Sequence, residues 1–462
     1  MKTFQLYIAV FLLSFSTAFA QEKETPPEGG EPKNYNLPAK EIVTLDNGLK
    51  LVMIKYGSIP KATVQFTVKT GNINENEDQV WLADLLADLM QEGSTTKSAT
   101  DIADQMAAMG GDLSISVGNH TSSLTSSVLY EFAPDAVELM ADVLRNPLWP
   151  EESLDRLKND MKRDLAVRVS RPRSQAFRDF MATMYPDHAY GRVYPTEEMV
   201  DSFTTEDIKD FYESNFGARR TTVYVVGNFN RDMVVDAVQN SMAEWREGED
   251  SNYPVAEAVT AGGTKIIDRP GAPQSSIYFG LPVADPSSPD YIDLDVTNSV
   301  LGGSFASRIT SNIREDKGYS YSPYSTLSEY YKSGLWYEVA DVSTEHTGAS
   351  LEEIKKEIAL LQSEAPSQEE LDGVINYESG IFVLQNSSRG GIINQLVFLD
   401  IHDLPDSFLE NKVQNFYGVT PAKVSEMTRK YIRPEEMTLI IVGDKEKIES
   451  QIQETLDKPL KQ

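Results

Sequence analysis

The chain has 462 residues, with 71 Asp and Glu against 42 Lys and Arg, a formal net charge of -29 at pH 7, and no cysteine. A surface this acidic repels phosphate backbones, which argues against nucleic acid as a partner and leaves basic or unfolded peptides as better candidates. Without Cys there is no disulfide framework, thiolate nucleophile or thiolate-bound metal, so stability must come from packed cores, and the length suffices for two of them.

At the N-terminus, Lys2, an apolar run from Leu6 to Phe15 and then Ala18-Phe19-Ala20 follow the charge, core and small-residue order of a cleavable secretory signal. Residues 1–20 are therefore read as a leader, which predicts export to a periplasm or beyond the cell. The run is too short to span a bilayer, and no other stretch approaches the roughly 20 apolar residues a span needs. Residues 21–36 are rich in Pro, Gly and charge and lack apolar periodicity, so they read as a disordered lead, with order expected from near Leu37. Two short apolar runs flank Asn47-Gly48, a pair that favours a hairpin turn. A strand is predicted over Lys61 to Thr70, helices over about 77–92 and 100–109, strands over 112–117 and 122–130, and helices over 133–145 and 151 to about 180.

The chain then repeats itself. Arg220 to Asn228 is an apolar strand closed by Gly227 and followed by a helical pattern through Trp245; Glu436 to Asp444 is another, closed by Gly443 and followed by a helical pattern through Leu456. The offset of 216 sets Leu82 to Gly93 against Asn298 to Ile309, which contains Gly302-Gly303. Residues 247–263 have linker composition. The expected organisation is therefore α+β: two homologous domains, 37–246 and 264–462, each an antiparallel-rich β-sheet covered by helices on one face and joined by a linker.

An ordered set of segments resembles the insulinase and pitrilysin family of zinc metallopeptidases, in the two-domain form that includes the mitochondrial processing peptidase subunits. Leu45-Asp46-Asn47-Gly48-Leu49 resembles its opening strand turn, Glu92-Gly93-Ser94 the end of its active-site helix, and Asp187-His188-Ala189-Tyr190-Gly191-Arg192 its HPYGR stretch. Leu301-Gly302-Gly303-Ser304-Phe305-Ala306-Ser307-Arg308-Ile309 and Ile313 to Tyr321 resemble its second-domain signature. The resemblance implies a LuxS/metallopeptidase-like fold. It also implies a departure at the metal. Active members carry H-x-x-E-H on one helix, two imidazoles for zinc and a glutamate that deprotonates the bound water, with a further Glu ligand downstream. The aligned positions here are Asp84, Ala87 and Asp88, with Asp164 at the distal position. The four histidines, His120, His188, His346 and His402, have no such spacing.

Zinc sites draw mainly on imidazole and thiolate, and Ala87 cannot act as a base, a role worth about 10² to 10⁴ in rate. Two other readings of the carboxylates stand beside this one. Asp84 and Asp88 form the wet side of an amphipathic helix with apolar stripe Trp81, Leu82, Leu85, Leu86 and Leu89, or, with Asp164, they make an oxygen-ligand site for calcium or magnesium. His188 reads as a structural turn residue. Gly302 and Gly303 read as close-packing residues or, by the resemblance, as a loop over the peptide chamber.

The resemblance further implies that Arg314 and Tyr321 reach across to a partner's catalytic zinc, with Arg308 and Tyr319 as the pair if the register slips. The expectation for function is a non-catalytic, peptide-binding subunit of an exported heterodimeric zinc metalloendopeptidase. It would hold no cofactor, and a homologous H-x-x-E-H-bearing subunit would supply zinc. The alternatives are a stand-alone pseudopeptidase that binds peptides or acts as a scaffold, and a weak hydrolase with a carboxylate-bound metal.

Overall fold

A computed structural model describes residues 33–457. The predicted leader and most of the predicted disordered lead lie outside the described residues. From Tyr35 onward the chain forms one compact unit, built from two lobes in tandem.

The first lobe contains β1 (Lys40–Thr44), β2 (Lys50–Lys55), β3 (Lys61–Val68), β4 (Ser114–Val117), β5 (Ser122–Leu129) and β6 (Thr221–Gly227), in the order β1-β2-β6-β3-β5-β4. The second contains β7 (Thr264–Asp268), β8 (Gln274–Val283), β9 (Tyr324–Tyr330), β10 (Ser333–Ser343) and β11 (Thr438–Gly443), in the order β7-β11-β8-β10-β9. Without β1 the two orders correspond strand for strand. Among the described residues, the only parallel pair in each joins the late strand to the first one, β2 with β6 and β7 with β11, and the other pairings are antiparallel. The internal repeat is therefore a repeat of topology, and the two-domain α+β expectation holds.

Helices α1 (Leu82–Met90), α2 (Ala99–Ala108), α3 (Ala133–Arg145), α4 (Glu151–Ser170), α5 (Pro172–Met184), α6 (Glu197–Ser202), α7 (Thr205–Asn215) and α8 (Arg231–Met242) belong to the first lobe by sequence. The second contributes α9 (Tyr291–Asn298), α10 (Thr347–Ser363), α11 (Gln368–Gln385), α12 (Arg389–Ile401), α13 (Lys412–Gly418), α14 (Pro421–Tyr431) and α15 (Lys445–Asp457).

Three sequence expectations are corrected. The helix predicted over 77–92 begins only at Leu82, because Trp81 sits in the left-handed region at φ 71° and the segment before it is irregular. The long helix predicted from 151 to about 180 is two helices: Arg171 is extended ahead of Pro172, whose ring disfavours a helical predecessor. The offset of 216 holds for Gly227 and Gly443 but not for α1. Its counterpart is α9, running on through a wide turn at Ser299–Gly303, because the connection 284–290 after β8 is shorter than 69–81 after β3.

Each sheet is also covered on its second face, by a helix from the other lobe. Along β6, Val223 and Val225 enter the first lobe's own core, whereas Tyr224 and Val226 meet Ile392, Ile393 and Leu396 of α12. Along β11, Leu439 and Ile441 face the second lobe's own helices, whereas Ile440 and Val442 meet Phe180, Met181 and Met184 of α5. Burial on both faces explains why these strands read as continuous apolar runs. Polar contacts fix the exchange: Arg173 and Asp179 of α5 pair with Asp341 and Lys265 of the second lobe at 2.8 and 2.9 Å, and Asp400 of α12 pairs with Lys69 of the first at 2.9 Å.

Residues 247–263 contain no helix or strand and run through the seam. Tyr253 and Ala256 are buried there, and the Val259 amide donates to the Met184 carbonyl. The Asn47-Gly48 turn joins β1 to β2 as predicted, with Gly48 at φ 90° and the Asn47 amide donating to the carbonyls of Met242 and Trp245.

Candidate functional site

Helix α1 buries Leu82, Leu85, Leu86 and Leu89 and turns Asp84, Ala87 and Asp88 toward a cavity of about 610 Å³. Helix α4 contributes Asp160, Asp164 and Arg168 to the same cavity, and β4 contributes Ile115, Ser116 and Val117. All four positions aligned with the zinc motif, Asp84, Ala87, Asp88 and Asp164, are thus brought to one place. β4 is the last strand of its sheet, paired only to β5, so the cavity opens beside a free strand edge.

The carboxylates are committed to the protein's own groups. Asp84 accepts from the Asn72 amide at 2.8 Å, and Asp164 accepts from Arg168 Nε at 2.7 Å while that guanidinium lies 5.6 Å from the Trp81 ring. Burial pushes the Asp84 carboxyl above the usual carboxylate range; burial and then the neighbouring Asp84 do the same to Asp88. Beneath them Glu75, 6% exposed, accepts from the amides of Trp81 and Ala83 at 3.1 and 2.9 Å and so caps the start of α1. Burial pushes its pKa up to about 8 against the pull of those donors.

This donor set does not fit zinc. No imidazole reaches the cavity, two of its carboxylates already hold Asn72 and Arg168, and no cluster of three or more acidic or histidine side chains among the described residues is arranged to hold a metal ion. The same observation tells against the calcium or magnesium reading. Asp84 and Asp88 are not simply the wet face of a surface helix either, since both line a concavity and are only partly exposed. Neighbouring Asp160, Arg168 and Glu75 were missed from the sequence. Asp160 and Arg168 flank Asp164 at helical spacing and were in principle visible, whereas nothing in the sequence marks Glu75 as the cap of α1.

In the second lobe, Arg314 and Tyr321 come together, with the guanidinium carbon 5.0 Å from the phenol ring. Neither lines the cavity of the first lobe. The alternative pair is engaged elsewhere: Arg308 makes a two-pronged bond to Glu370 at 2.7 and 2.8 Å, and Tyr319 stacks on His346 at 4.3 Å. Gly302 and Gly303 occupy the wide turn after α9. A Cβ on Gly302 would lie 2.5 Å from Ser325 Oγ and 2.9 Å from Glu338 Oε2, and one on Gly303 would lie 2.3 Å from the Asn298 amide nitrogen, so close packing demands both glycines. His188 caps a short turn, its Nδ1 accepting from the Tyr190 amide at 3.2 Å, which is a structural role.

Two sheets of matching strand order, an acidic helix facing a cavity and a free strand edge define a two-lobe α+β scaffold. Residues 51–195 match the family model described as insulinase (peptidase family M16), and residues 202–377 match the one described as peptidase M16 inactive domain. The chain belongs to the insulinase family. It is 23% identical to an uncharacterized zinc protease of Rickettsia felis over 76% of this chain and 84% of that protein, and 24% identical to the uncharacterized zinc protease YmxG of Bacillus subtilis over 75% and 84%. Among solved structures, the fold is similar to a peptidase M16 inactive domain from Pseudomonas fluorescens (TM-score 0.78, 21% identity, 87% of this chain and 98% of that one). It is likewise similar to a protease from Helicobacter pylori (TM-score 0.81, 18% identity, 88% and 100%).

Proposed function

We propose that this protein is the non-catalytic, peptide-binding subunit of an exported heterodimeric zinc metalloendopeptidase. The observation that carries the reading is the content of α1: in an insulinase-family scaffold it presents Asp84, Ala87 and Asp88 to the cavity, where the H-x-x-E-H register would set two metal-binding imidazoles and a base. A homologous subunit with the intact motif would supply zinc and general base. This chain would close the peptide chamber and present Arg314 and Tyr321, a planar fork of donors and a directed phenol, to the same scissile bond. The free edge of β4 beside the cavity supports recognition of an extended peptide through its backbone. No helix among the described residues is long and apolar enough to cross a membrane.

The test is co-purification of the tagged protein from its native cell. A stoichiometric companion of similar mass bearing H-x-x-E-H, whose peptidase turnover falls at least tenfold when this chain carries Arg314→Ala or Tyr321→Phe without loss of assembly, is the expected result. A chain that elutes alone and leaves such an enzyme's turnover unchanged would sink the heterodimer reading in favour of a stand-alone peptide-binding protein.

A further inference from the structure

One buried acid of the second lobe has no part in the site described above. Glu338 stands on β10 between Trp336 and Ala340, on the face turned to the lobe's own helices, and is fully buried. Neither carboxylate oxygen has a hydrogen-bond partner among the described residues. The internal repeat shows what the position holds elsewhere. Across the ladder Glu338 faces Phe279 and Ser325; its counterpart in the first lobe is Leu124, which faces Phe66 and Ile115 and is also fully buried. The match is fixed by Phe66 opposite Val223 and Phe279 opposite Leu439, positions that the 216-residue offset relates. A carboxyl thus stands in a core layer where the sister lobe has a leucine, and burying it without a partner costs stability.

Directly over the carboxyl lies the wide turn Ser299–Gly303. A Cβ on Gly302 would stand 2.9 Å from Glu338 Oε2, so only a glycine lets the turn close on the acid, and the next residue, Gly303, is exposed to solvent. The donors nearby are committed elsewhere: Ser325 Oγ and Trp336 Nε1 both donate to Asn298 Oδ1, at 2.7 and 2.9 Å. The Ser304 hydroxyl, just past the turn, is likewise buried and without a partner among the described residues.

The elements packed around Glu338 bring no charge to answer it. Phe279 of β8, Ser325 of β9 and Asn298 of α9 are neutral, and α10 meets this face through Leu351, Ile354 and Ile358 while its Glu353 and Glu357 accept from the Asn312 amide at 2.8 and 2.6 Å. At the turn itself, Glu378 of α11 accepts from Ser299 Oγ at 2.7 Å, and Asp295 of α9 pairs with Lys412 at 3.8 Å. Burial raises the pKa of the Tyr324 phenol of β9, with Arg173 opposing and Glu338 and Asp341 adding to the effect. Burial alone pushes Glu338 well above the usual carboxylate range.

We infer that the Ser299–Gly303 turn is a proton-controlled flap, closed over Glu338 while that side chain is an uncharged acid and lifted to admit water when the carboxyl gives its proton to solvent. The closed turn binds a proton that the lifted turn releases. Closure is therefore strongest below the ordinary glutamate value near pH 4.5 and weakens as pH rises toward the buried group's own value. With one proton released per opening, the open fraction grows about tenfold for each pH unit in between.

The experiment is hydrogen exchange read by mass spectrometry on the whole protein at pH 6, 7 and 8, with rates corrected for the intrinsic pH dependence of exchange. In wild type, peptides covering residues 299–304 should lose protection by about tenfold per pH unit, about 100-fold across the range, while those covering β11 of the same sheet keep theirs. Glu338→Gln and Glu338→Leu, which have no proton to give, should hold the turn's protection constant with pH; circular dichroism reports whether each folds. Protection of the turn that is flat with pH in wild type overturns the inference whatever the variants do. An equal slope in wild type and a folded variant overturns it too, as does an equal slope at β11, the mark of a whole lobe opening. If neither variant folds, the wild-type slope and its confinement to the turn decide alone.

Discussion

Mild acid should loosen the seam between the two lobes, through two buried histidines. His120, in the loop between β4 and β5, has Nε2 2.7 Å from the Tyr190 hydroxyl and 3.2 Å from the backbone amide of Tyr331, which lies in the turn between β9 and β10 of the second lobe. The Tyr331 amide donates both to Nε2 and, at 3.2 Å, to the Tyr190 hydroxyl oxygen, so Nε2 acts here as an acceptor, the role of a neutral imidazole. His402, at the end of α12, packs 6.3 Å from it with Nδ1 buried and without a partner among the described residues. Burial, and then the facing His402 and His188, lower the His120 pKa to about 3; burial lowers that of His402 to about 4, with Lys332 adding to the effect and Asp285 and Asp403 opposing it. Tyr190, Tyr253 and Tyr331 complete the surroundings, and burial raises the pKa of the Tyr190 and Tyr253 phenols.

The sign follows from proton counts. With folded pKa values below the unfolded value of about 6.5, the folded protein binds fewer protons, so the stability these histidines permit is complete above about pH 6.5 and is lost as pH falls toward 4. At pH 5 each histidine costs about 2 kcal/mol, and the pair about 4 kcal/mol, a large share of the roughly 5–15 kcal/mol that holds a protein folded. The assay is urea unfolding at pH 7.5 and pH 5.0 for wild type and for His120→Gln/His402→Leu. Gln keeps an acceptor for the Tyr331 amide, Leu fills the His402 site, and carboxylate titration elsewhere cancels in the comparison. The acid loss should be smaller in the double variant by about 4 kcal/mol; an equal loss in both proteins would refute the argument.

Further outcomes follow from the packing. Gly302→Ala should lower stability by about 2 kcal/mol, because the added methyl meets Ser325 and Glu338 inside van der Waals distance, and a shift in the urea midpoint reads it. Asn47→Ala should cost about 2 kcal/mol, since its amide ties the β1–β2 turn to the carbonyls of Met242 and Trp245 and both of these buried bonds would be lost. Arg308→Ala should cost about 1–2 kcal/mol by breaking the two-pronged bond to Glu370, yet leave peptide binding unchanged; weakened peptide affinity in a folded Arg308→Ala protein would restore the other register of the Arg and Tyr pair.

Much of the scaffold was legible because it is written in local signals. Asn47-Gly48 between two apolar runs fixed the first hairpin, the run after Glu131 fixed α3 over the predicted 133–145, and the twin strands ending in Gly227 and Gly443 disclosed the repeat. The expectation of helices on one face of each sheet is corrected by the structure: the apolar runs Val223–Val226 and Leu439–Val442 are buried on both faces, a mark their continuity carries and the one-face reading passed over. They could not say that α5 and α12 are exchanged, because any amphipathic helix satisfies a strand pattern and the choice is made by contacts far apart in sequence. The late start of α1 escaped for a related reason: its apolar periodicity extends back through Val80, and only the Glu75 cap and the left-handed Trp81 cut it short. At the site, the degenerate motif was visible as residue types at fixed spacing. The cavity partners Asn72 and Glu75, the Glu338 carboxyl under Gly302 and the histidine seam depend on tertiary approach, which no spacing records.

On the function proposed above, an acidic α1 without a general base does not hydrolyse peptides unaided. The most direct test is zinc content and peptidase turnover measured together on the pure single chain, before and after a chelator. Substoichiometric zinc and no chelator-sensitive turnover are expected; one equivalent of tightly held zinc, with hydrolysis that the chelator abolishes and added zinc restores, would overturn the non-catalytic reading.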